Sequence, residues 1–409
     1  MKNELDALMQ ANDIDVLLIL GAAAHNPAMV YFTGVVHVSA ADLIKKRGEP
    51  PVLFCNPMER EEAARTGLIT RSYNEFPFMD LLKEANGDRI LAAALRYQRM
   101  LASLGITSGR MALYGSTEVG APFMIINALQ QLAPGLTFVG YAQDPILMQA
   151  MQTKDEAEVA RIRRMGAVTT EVVGRVADYL TSQHAKDGVL VNSEGQPVTI
   201  GDVKSRIDLW LAEKGAENPE GCIFAIGRDA GVPHSAGTLT DLMRLGQTIV
   251  FDIYPCEAGG GYFYDFTRTW CLGYAPDEAQ KLYEQVHSVY NTLKDEFTMG
   301  RVLADYQKRT CELFEAMGHP TVMTQPTTEE GYVHSLSHGV GLHIHEKPFS
   351  GIGMNDLLVP GSIFTSEPGL YYPSRGMGVR IEDTYYARPD GTFEILADFP
   401  KELVLPVRQ

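Results

Sequence analysis

The sequence predicts a two-domain protein, an α/β domain followed by an α+β domain. Within residues 1–140, strand-like runs alternate with helical ones, which is typical of an α/β domain with a largely parallel or mixed sheet. The clearest runs are "DVLLIL" (15–20), "PVLFC" (51–55), "MALYG" (111–115) and a helical segment at 118–132. The later strands are mostly separated by turns, which indicates an α+β arrangement. They are predicted at 247–253, 262–271, 361–366 and 379–386, with helices around 201–214, 277–297 and 302–317.

The boundary between the two domains is predicted near residue 150. A chain of 409 residues is too long for one ordinary hydrophobic core. Thr153 and Glu156 have the spacing of a capping box, and apolar residues recur at helical spacing after them. We therefore assign residues 1–150 to the N-terminal domain and 151–409 to a C-terminal domain that opens with a long helix.

Composition narrows the class of protein. Hydrophobic content of 45% and charged content of 21% are normal for a globular enzyme, and the net charge of −16 argues against a nucleic-acid binder. The N-terminus shows no signal-peptide pattern, and no apolar run reaches the roughly 18–20 residues of a membrane span. The five cysteines form no CxxC pair, which predicts reduced thiols and a cytoplasmic location.

Two aspartates in the second domain lie in strand-like surroundings. Asp252 follows the buried-looking run "GQTIVF", and Asp265 lies within "GYFYDFTRTW". Gly259, Gly260 and Gly261 between them predict a turn that joins the two strands as a hairpin. A buried carboxylate is costly unless it is paired or binds a metal. The two aspartates are therefore predicted to face each other for a functional reason.

Further ionisable side chains occupy strand-like or glycine-rich segments nearby in the sequence. They are His234, His338, His343, His345, Glu367, Arg380 and Glu382. Strand alternation places Arg380 and Glu382 on one face. Several carboxylates on one face repel each other, and two divalent cations about 3.5–4 Å apart resolve this by sharing bridging carboxylates and a bridging hydroxide. The chemistry implied is hydrolysis, with Mn²⁺, Co²⁺, Fe²⁺ or Zn²⁺ as the ions and Mn²⁺ favoured.

Each of these residues also has an ordinary structural explanation. A lone aspartate in a hairpin is usually a turn or edge residue, and Glu367 before Pro368 could simply end a strand. A lone histidine is more often a core or surface residue than a ligand. The residue types alone therefore leave two interpretations open, a metal site and a set of ordinary structural residues.

The order of the motifs resembles one family. Asp252, "DFTRT" from Asp265, "HGVGLHIHE" from His338, "EPGLY" from Glu367 and "VRIEDT" ending at Thr384 are similar to the pita-bread metallopeptidases, which include methionine aminopeptidase, aminopeptidase P and prolidase. The run from "LDALMQANDIDVLLIL" to "NPAMVYFTG" resembles the creatinase-type N-terminal domain of aminopeptidase P and prolidase. The resemblance covers the whole chain and implies a pita-bread fold for the C-terminal domain.

The resemblance also implies a role for each site residue. Asp252 would bind the first metal, Asp265 and Glu382 would bridge the two metals, and His338 and Glu367 would complete the second. Two histidines, His234 and His345, would act on the scissile carbonyl or the tetrahedral intermediate. Glu367 would also handle the proton of the nucleophile. Tyr371 and Arg380 match outer positions, and Arg380 would orient a ligating carboxylate.

Two features depart from the family pattern. The two aspartates are 13 residues apart instead of the usual eleven, and two added residues in a hairpin preserve strand parity, so both side chains still face the site. His343 stands where relatives commonly carry an acid. In an extended segment it would point the same way as His345, and we interpret it as a polar residue near the pocket rim.

The sequence therefore predicts a homodimeric exopeptidase that hydrolyses Xaa-Pro bonds of peptides, of the aminopeptidase P or prolidase type. A creatinase-like hydrolase of a small C–N substrate and an inactive binding protein with this fold are the alternatives. Tyr371, Tyr372 and Phe349 are candidates for a wall around a proline ring, and Arg375 for a clamp on a substrate carboxylate. Arg375 is better explained as an exposed turn residue.

Overall fold

The computed structural model describes residues 4–407 of the chain. The chain folds into two compact units. Unit 1 comprises the residues up to 150 together with 259–261, and unit 2 comprises 151–258 and the residues from 262 onward. Within the described range no helix is both long enough and apolar enough to cross a membrane.

Unit 1 is built around a mixed sheet. Its elements are α1 (Leu5–Ala11), β1 (Val16–Gly21), α2 (Pro27–Thr33), β2 (Ala41–Lys46), β3 (Val52–Cys55), α3 (Arg60–Ala64), β4 (Ile69–Ser72), α4 (Phe78–Glu84), α5 (Arg89–Ser103), β5 (Gly109–Gly115), α6 (Gly120–Leu132) and β6 (Leu136–Val139), and α7 (Leu147–Met151) follows. The six strands have the order β4-β3-β2-β1-β5-β6. β1 pairs antiparallel with β2 and parallel with β5, so the predicted mixed α/β sheet is confirmed.

Unit 2 begins with a long helix and contains most of the strands. Its helices are α8 (Glu156–Ser182), α9 (Ile200–Glu213), α10 (Asp277–Glu296) and α11 (Leu303–Ala316). Its strands are β7 (His184–Lys186), β8 (Val189–Val191), β9 (Ala216–Glu217), β10 (Cys222–Ile226), β11 (Thr248–Ile253), β12 (Cys256–Glu257), β13 (Phe266–Leu272), β14 (His338–Gly339), β15 (Glu346–Phe349), β16 (Ile363–Ser366), β17 (Gly369–Tyr372), β18 (Met377–Arg380), β19 (Asp383–Ala387), β20 (Phe393–Ile395) and β21 (Val404–Leu405).

Two sheets of unit 2 position the candidate site. One has four strands in the order β10-β11-β13-β21, and the other has five in the order β15-β14-β16-β19-β20. On the five-stranded sheet, Phe364 and Tyr385 pack against Phe297 at the end of α10, with ring centroids 5.2 and 5.3 Å away from the Phe297 ring. Side chains alternate along a strand, so Thr365 and Thr384 point to the opposite face. That face carries the site described below.

Three predicted elements differ in detail from the structure. The strand predicted over 262–271 begins only at Phe266, the first residue of β13. The helix α8 is capped by Asp155, which forms a capping box with Glu158, so the predicted box of Thr153 and Glu156 was wrong. The predicted strand 379–386 is two strands, because the backbone changes partner between them: β18 pairs with β17, whereas β19 pairs with β16. Glu382 lies at this change of partner and its amide donates to Thr267 O at 3.1 Å.

The capping geometry yields a test of stability. We expect Asp155→Ala to lower the free energy of unfolding of unit 2 by about 1 kcal/mol, because it removes the side-chain acceptor for the Glu158 amide. Thr153→Ala should cost less, since Thr153 does not cap α8. Both tryptophans, Trp210 and Trp270, lie in unit 2, so tryptophan fluorescence during urea unfolding reports the unfolding of this unit. A larger loss for Thr153→Ala would contradict the assignment of the cap.

Candidate metal centre

A cavity of about 740 Å³ in unit 2 brings together most of the residues singled out from the sequence. Its wall includes Asp252, Asp265, His338, Glu367 and Glu382, together with His234, His345 and Arg380. Asp252 lies near the end of β11 opposite Thr267 of β13, and Asp265 lies just before β13 begins. The longer spacing between the two aspartates therefore leaves both on the same cavity, as strand parity predicts.

Three side chains form the centre of this group. Asp265, His338 and Glu382 each offer a ligand atom, and these atoms lie within 4.8 Å of one another. The His338 Nε2 atom is 3.4 Å from Asp265 Oδ2 and 3.3 Å from Glu367 Oε1. Asp265 lies just before β13, His338 lies in β14, and Glu382 lies between β18 and β19. Only the folded chain brings the three residues together.

Asp252 is held at the edge of this centre by Arg380. The guanidinium Nη2 atom donates to Asp252 Oδ2 at 2.5 Å, and Nη1 donates to the hydroxyl of Tyr371 at 2.7 Å. The side chains of Asp252 and Arg380 are 12% and 3% exposed, so water screens the pair poorly. The Oδ2 atom of Asp252 is therefore bound by Arg380, and its Oδ1 atom is not part of this ion pair.

Two buried carboxylate oxygens of this cavity make no hydrogen bond within residues 4–407. They are Asp252 Oδ1 and Glu382 Oε1. The second oxygen of Glu382 accepts from Thr267 Oγ1 at 2.6 Å. Buried polar atoms in native proteins almost always have a partner, and an anionic oxygen without one is expensive. A set of carboxylate oxygens with one imidazole fits a divalent cation, which would satisfy both atoms.

Burial and mutual repulsion dominate the electrostatics of the carboxylates. Burial raises the pKa of Asp265 well above its ordinary value, and the charges of Glu382 and Asp252 raise it further. Burial likewise raises the pKa of Glu382, with Glu367 adding to the effect. The pKa of Glu367 is raised to about 8 by burial, although Arg380 opposes the shift. Without a cation, the site therefore holds protons near neutral pH.

Burial acts in the opposite direction on the histidines. It lowers the pKa of His345 to about 4, with the charge of His338 contributing, and it also lowers the pKa of His338. Both imidazoles are therefore neutral at neutral pH. A neutral imidazole is the form that ligates a metal or donates one hydrogen bond to an oxyanion. The two rings contact each other edge to face, with centroids 4.3 Å apart.

Several residues proposed from the sequence lie elsewhere. Tyr371 is fully buried behind Arg380 and, like Tyr372, does not line the cavity, whereas Phe349 does. Arg375 pairs with Glu278 on the surface at 3.3 Å and is no clamp in the cavity, as the turn interpretation held. His343 also does not line the cavity, because the segment around it bends, with the Gly341 amide bonded to His343 O, and is not extended.

The sequence reasoning missed three residues that belong to the site. His334 lines the cavity, its Nε2 atom lies 2.9 Å from the Tyr371 hydroxyl, and its Nδ1 atom is 3.9 Å from Glu367 Oε2. Tyr254 also lines the cavity, two residues after Asp252. Thr267 binds Glu382. The signal for His334 was its position four residues before His338, and the signal for Thr267 was its place within "DFTRT".

The family model described as "Metallopeptidase family M24" matches residues 160–389, which is more than half of the chain. The chain belongs to metallopeptidase family M24. The match spans every side chain of the candidate centre. The resemblance seen in the motifs is confirmed, and so is the prediction of an enzyme of the metallopeptidase class. Membership of this family implies divalent metal ions.

The M24 chain is also similar to individual proteins. It is 27% identical over 274 residues to "Probable dipeptidase PepE" of Mycobacterium tuberculosis, a match that covers 67% of this chain and 66% of that protein, just under two thirds of its length. It is 26% identical over 387 residues to "Xaa-Pro dipeptidase" of Pyrococcus horikoshii, covering 94% of this chain and 93% of the relative.

A solved structure shows the fold of the M24 chain. "Xaa-Pro dipeptidase from Bacillus anthracis" superposes with a TM-score of 0.74 at 20% identity and covers 98% of this chain and 99% of that one. An identity this low is evidence for the fold alone. The predicted architecture, an α/β N-terminal domain followed by a pita-bread domain, is confirmed.

The raised carboxylate pKa values predict how the stability of the metal-free M24 chain depends on pH. Glu367 takes up a proton more readily in the folded state, with a pKa of about 8, than in the unfolded chain. Its contribution to stability is complete below the unfolded pKa and is lost as pH rises through about 8. We expect the melting temperature of chelator-treated protein to fall from pH 6 to pH 8.5, and Mn²⁺ to reverse the fall.

Glu367→Gln is the matched control for this measurement, because it removes one of the titrating groups and keeps the side-chain shape. Its melting temperature should depend less on pH over the same range. A flat profile for the metal-free wild-type chain would contradict the electrostatic description of the site.

Proposed function

We propose that this chain is an exopeptidase that hydrolyses Xaa-Pro bonds with the help of two divalent cations. The observation that carries the proposal is the group of four carboxylates and one histidine on a single cavity, two of whose buried oxygens make no hydrogen bond in the described chain. Family M24 membership supports the peptidase chemistry. A metal-free creatinase-like hydrolase would need no such concentration of acids.

Five side chains would hold the cations. We assign Asp252 to the first ion, Asp265 and Glu382 to both ions, and His338 and Glu367 to the second. When bound, divalent cations polarise a carbonyl and lower the pKa of a water molecule. Mn²⁺ is favoured because the donors are mostly carboxylate oxygens, and the same set accepts Co²⁺ or Zn²⁺.

The remaining residues would orient the substrate and move protons. We assign to Glu367 the role of proton acceptor, since its carboxylate lines the cavity beside the proposed cations. The neutral imidazole of His345, together with His234 on the same cavity wall, would donate to the oxygen of the scissile carbonyl as charge develops there. Arg380 would fix the orientation of Asp252, and Tyr371 that of Arg380.

Two considerations support proline at the position after the cleaved bond. Relatives of this chain bear the name Xaa-Pro dipeptidase, one of them aligned over 94% of the chain. The bond before a proline carries no N–H, so the site needs an apolar wall for the ring and no acceptor for that proton. Ile223, Ile344, Phe349 and Met354 supply apolar wall surface in the cavity.

The assignment of ligands is tested by Asp265→Asn. We expect the variant to lose activity, to bind fewer than two metal ions per chain, and to keep its far-UV circular dichroism, because the change removes a charge between the proposed ions and preserves side-chain size. His345→Ala is the matched control. It should keep its metal and lose about 10²–10³-fold in kcat. Two metal ions per chain in Asp265→Asn would refute its role, and metal loss in His345→Ala would make that histidine a ligand.

The substrate proposal is tested with three peptides, Ala-Pro, Ala-Pro-Ala and Ala-Ala-Ala, each assayed with Mn²⁺, Co²⁺ or Zn²⁺. We expect at least one of the two proline peptides to be cleaved faster than Ala-Ala-Ala, since a wall shaped for the ring gains contacts that alanine does not provide. Faster cleavage of Ala-Ala-Ala than of both others would refute the preference for proline and leave the metallopeptidase assignment intact.

A further inference from the structure

A buried ion pair lies behind the loop that carries His345. Lys154 Nζ contacts Glu346 Oε1, and the two side chains are 1% and 0% exposed. Lys154 lies two residues before α8, where its amide donates to Gly361 O at 2.8 Å. Placing two charges out of reach of water is costly, and replacing such a pair by apolar residues often leaves a protein equally stable. Stability alone is therefore a weak explanation for this pair.

Glu346 holds the loop between β14 and β15 in its bent shape. Its Oε2 atom accepts from the His343 amide at 3.2 Å. Its Oε1 atom lies against the backbone of Gly341, where an added Cβ atom would clash with that oxygen. The carboxylate therefore occupies the inside of the loop, and its close approach requires a glycine at position 341.

His345 depends on the shape of this loop. Its imidazole makes no hydrogen bond in the part of the chain that the structure describes, and its one ring contact there is with His338. The position of the ring therefore depends on the backbone of residue 345, which is the immediate neighbour of Glu346, and on the contact with His338. Consecutive side chains point in opposite directions here, with Glu346 fully buried and His345 on the cavity wall.

We propose that Lys154 is a positioning residue for His345, acting through the buried carboxylate of Glu346. The ammonium group neutralises and orients this carboxylate, the carboxylate holds the amide of His343 and the backbone of Gly341, and the loop in turn aims His345 into the cavity. The inference rests on the proposed role of His345 in the peptidase reaction. A displacement of about 1 Å at a group that acts on the transition state is enough to cost up to about 10²-fold in rate.

The test is a double-mutant cycle of Lys154→Met and His345→Ala on the Mn²⁺-loaded full chain with the better of the two proline peptides. We expect Lys154→Met to lower kcat by about 10–10²-fold, with KM and metal content nearly unchanged. In the His345→Ala background the same substitution should lower kcat no further, because it acts through His345. An equal loss in both backgrounds, or an unchanged kcat in the single variant, would overturn the proposal.

Lys45→Met is the matched control. Lys45 is also 1% exposed and pairs with Asp6 at 2.6 Å, but it belongs to unit 1. It should lower stability and leave kcat and KM unchanged. If Lys154→Met does not fold, Glu346→Gln enters the same cycle, since the amide keeps an oxygen for His343 and removes the charge, and the same non-additive loss is expected.

A second readout does not depend on activity. In histidine-selective NMR, the His345 imidazole signal is identified by its absence from His345→Ala. We expect this signal to shift in Lys154→Met and to stay in place in Lys45→Met. An unmoved signal in Lys154→Met overturns the positioning role. If the wild-type chain cleaves no peptide, the proposed function fails, and the NMR result still decides whether Lys154 positions His345.

Discussion

The repulsion among four carboxylates, three of them buried and one partly buried, is the constraint around which unit 2 is organised. Burial raises the pKa values of Asp265, Glu367 and Glu382, and the charges of neighbouring carboxylates raise them further. These three residues and Asp252 line one cavity. A protein can tolerate such a group by protonating it, by pairing it with cations of its own, or by binding metal. Arg380 supplies one positive charge. His338 and His345 supply none, because burial keeps them neutral. The negative charge that Arg380 does not compensate favours the binding of divalent cations in the cavity.

The protein uses many of its buried hydrogen bonds to hold these acids in place. Arg268 is 1% exposed and donates five hydrogen bonds to the chain around Glu382. Its acceptors are Pro400 O, Thr267 O, Glu382 O, Asp383 Oδ1 and Phe399 O. The Arg268 side chain thereby ties the backbone of β13 to the crossover before β19. Since Thr267 also binds the carboxylate of Glu382, Arg268 and Thr267 together fix both the backbone and the side chain of that residue.

How well the sequence predicted a feature depends on whether neighbouring or distant residues determine that feature. Strand and helix locations in both units were predicted well because they depend on local hydrophobic periodicity. The cap of α8 was misplaced by two residues, since Thr153 and Asp155 both have capping side chains and only the backbone geometry selects one. The break at Glu382 was missed for a related reason. It arises where the chain changes strand partners, and neighbouring residues carry no signal of that change.

For the site, the residue types marked Asp252, Asp265, His338, Glu367 and Glu382 as candidates among other ionisable residues, and the resemblance of the motif order to a known family singled them out as ligands. Which atoms meet was decided by the tertiary structure. His338 approaches Asp265 and Glu367, Arg380 binds Asp252, and Lys154 pairs with a glutamate 192 positions away. The sequence determined which chemistry is available, since side chains carry it. Only folding decided the distances, because contacts between remote segments are set by strand pairing and packing rather than by local pattern.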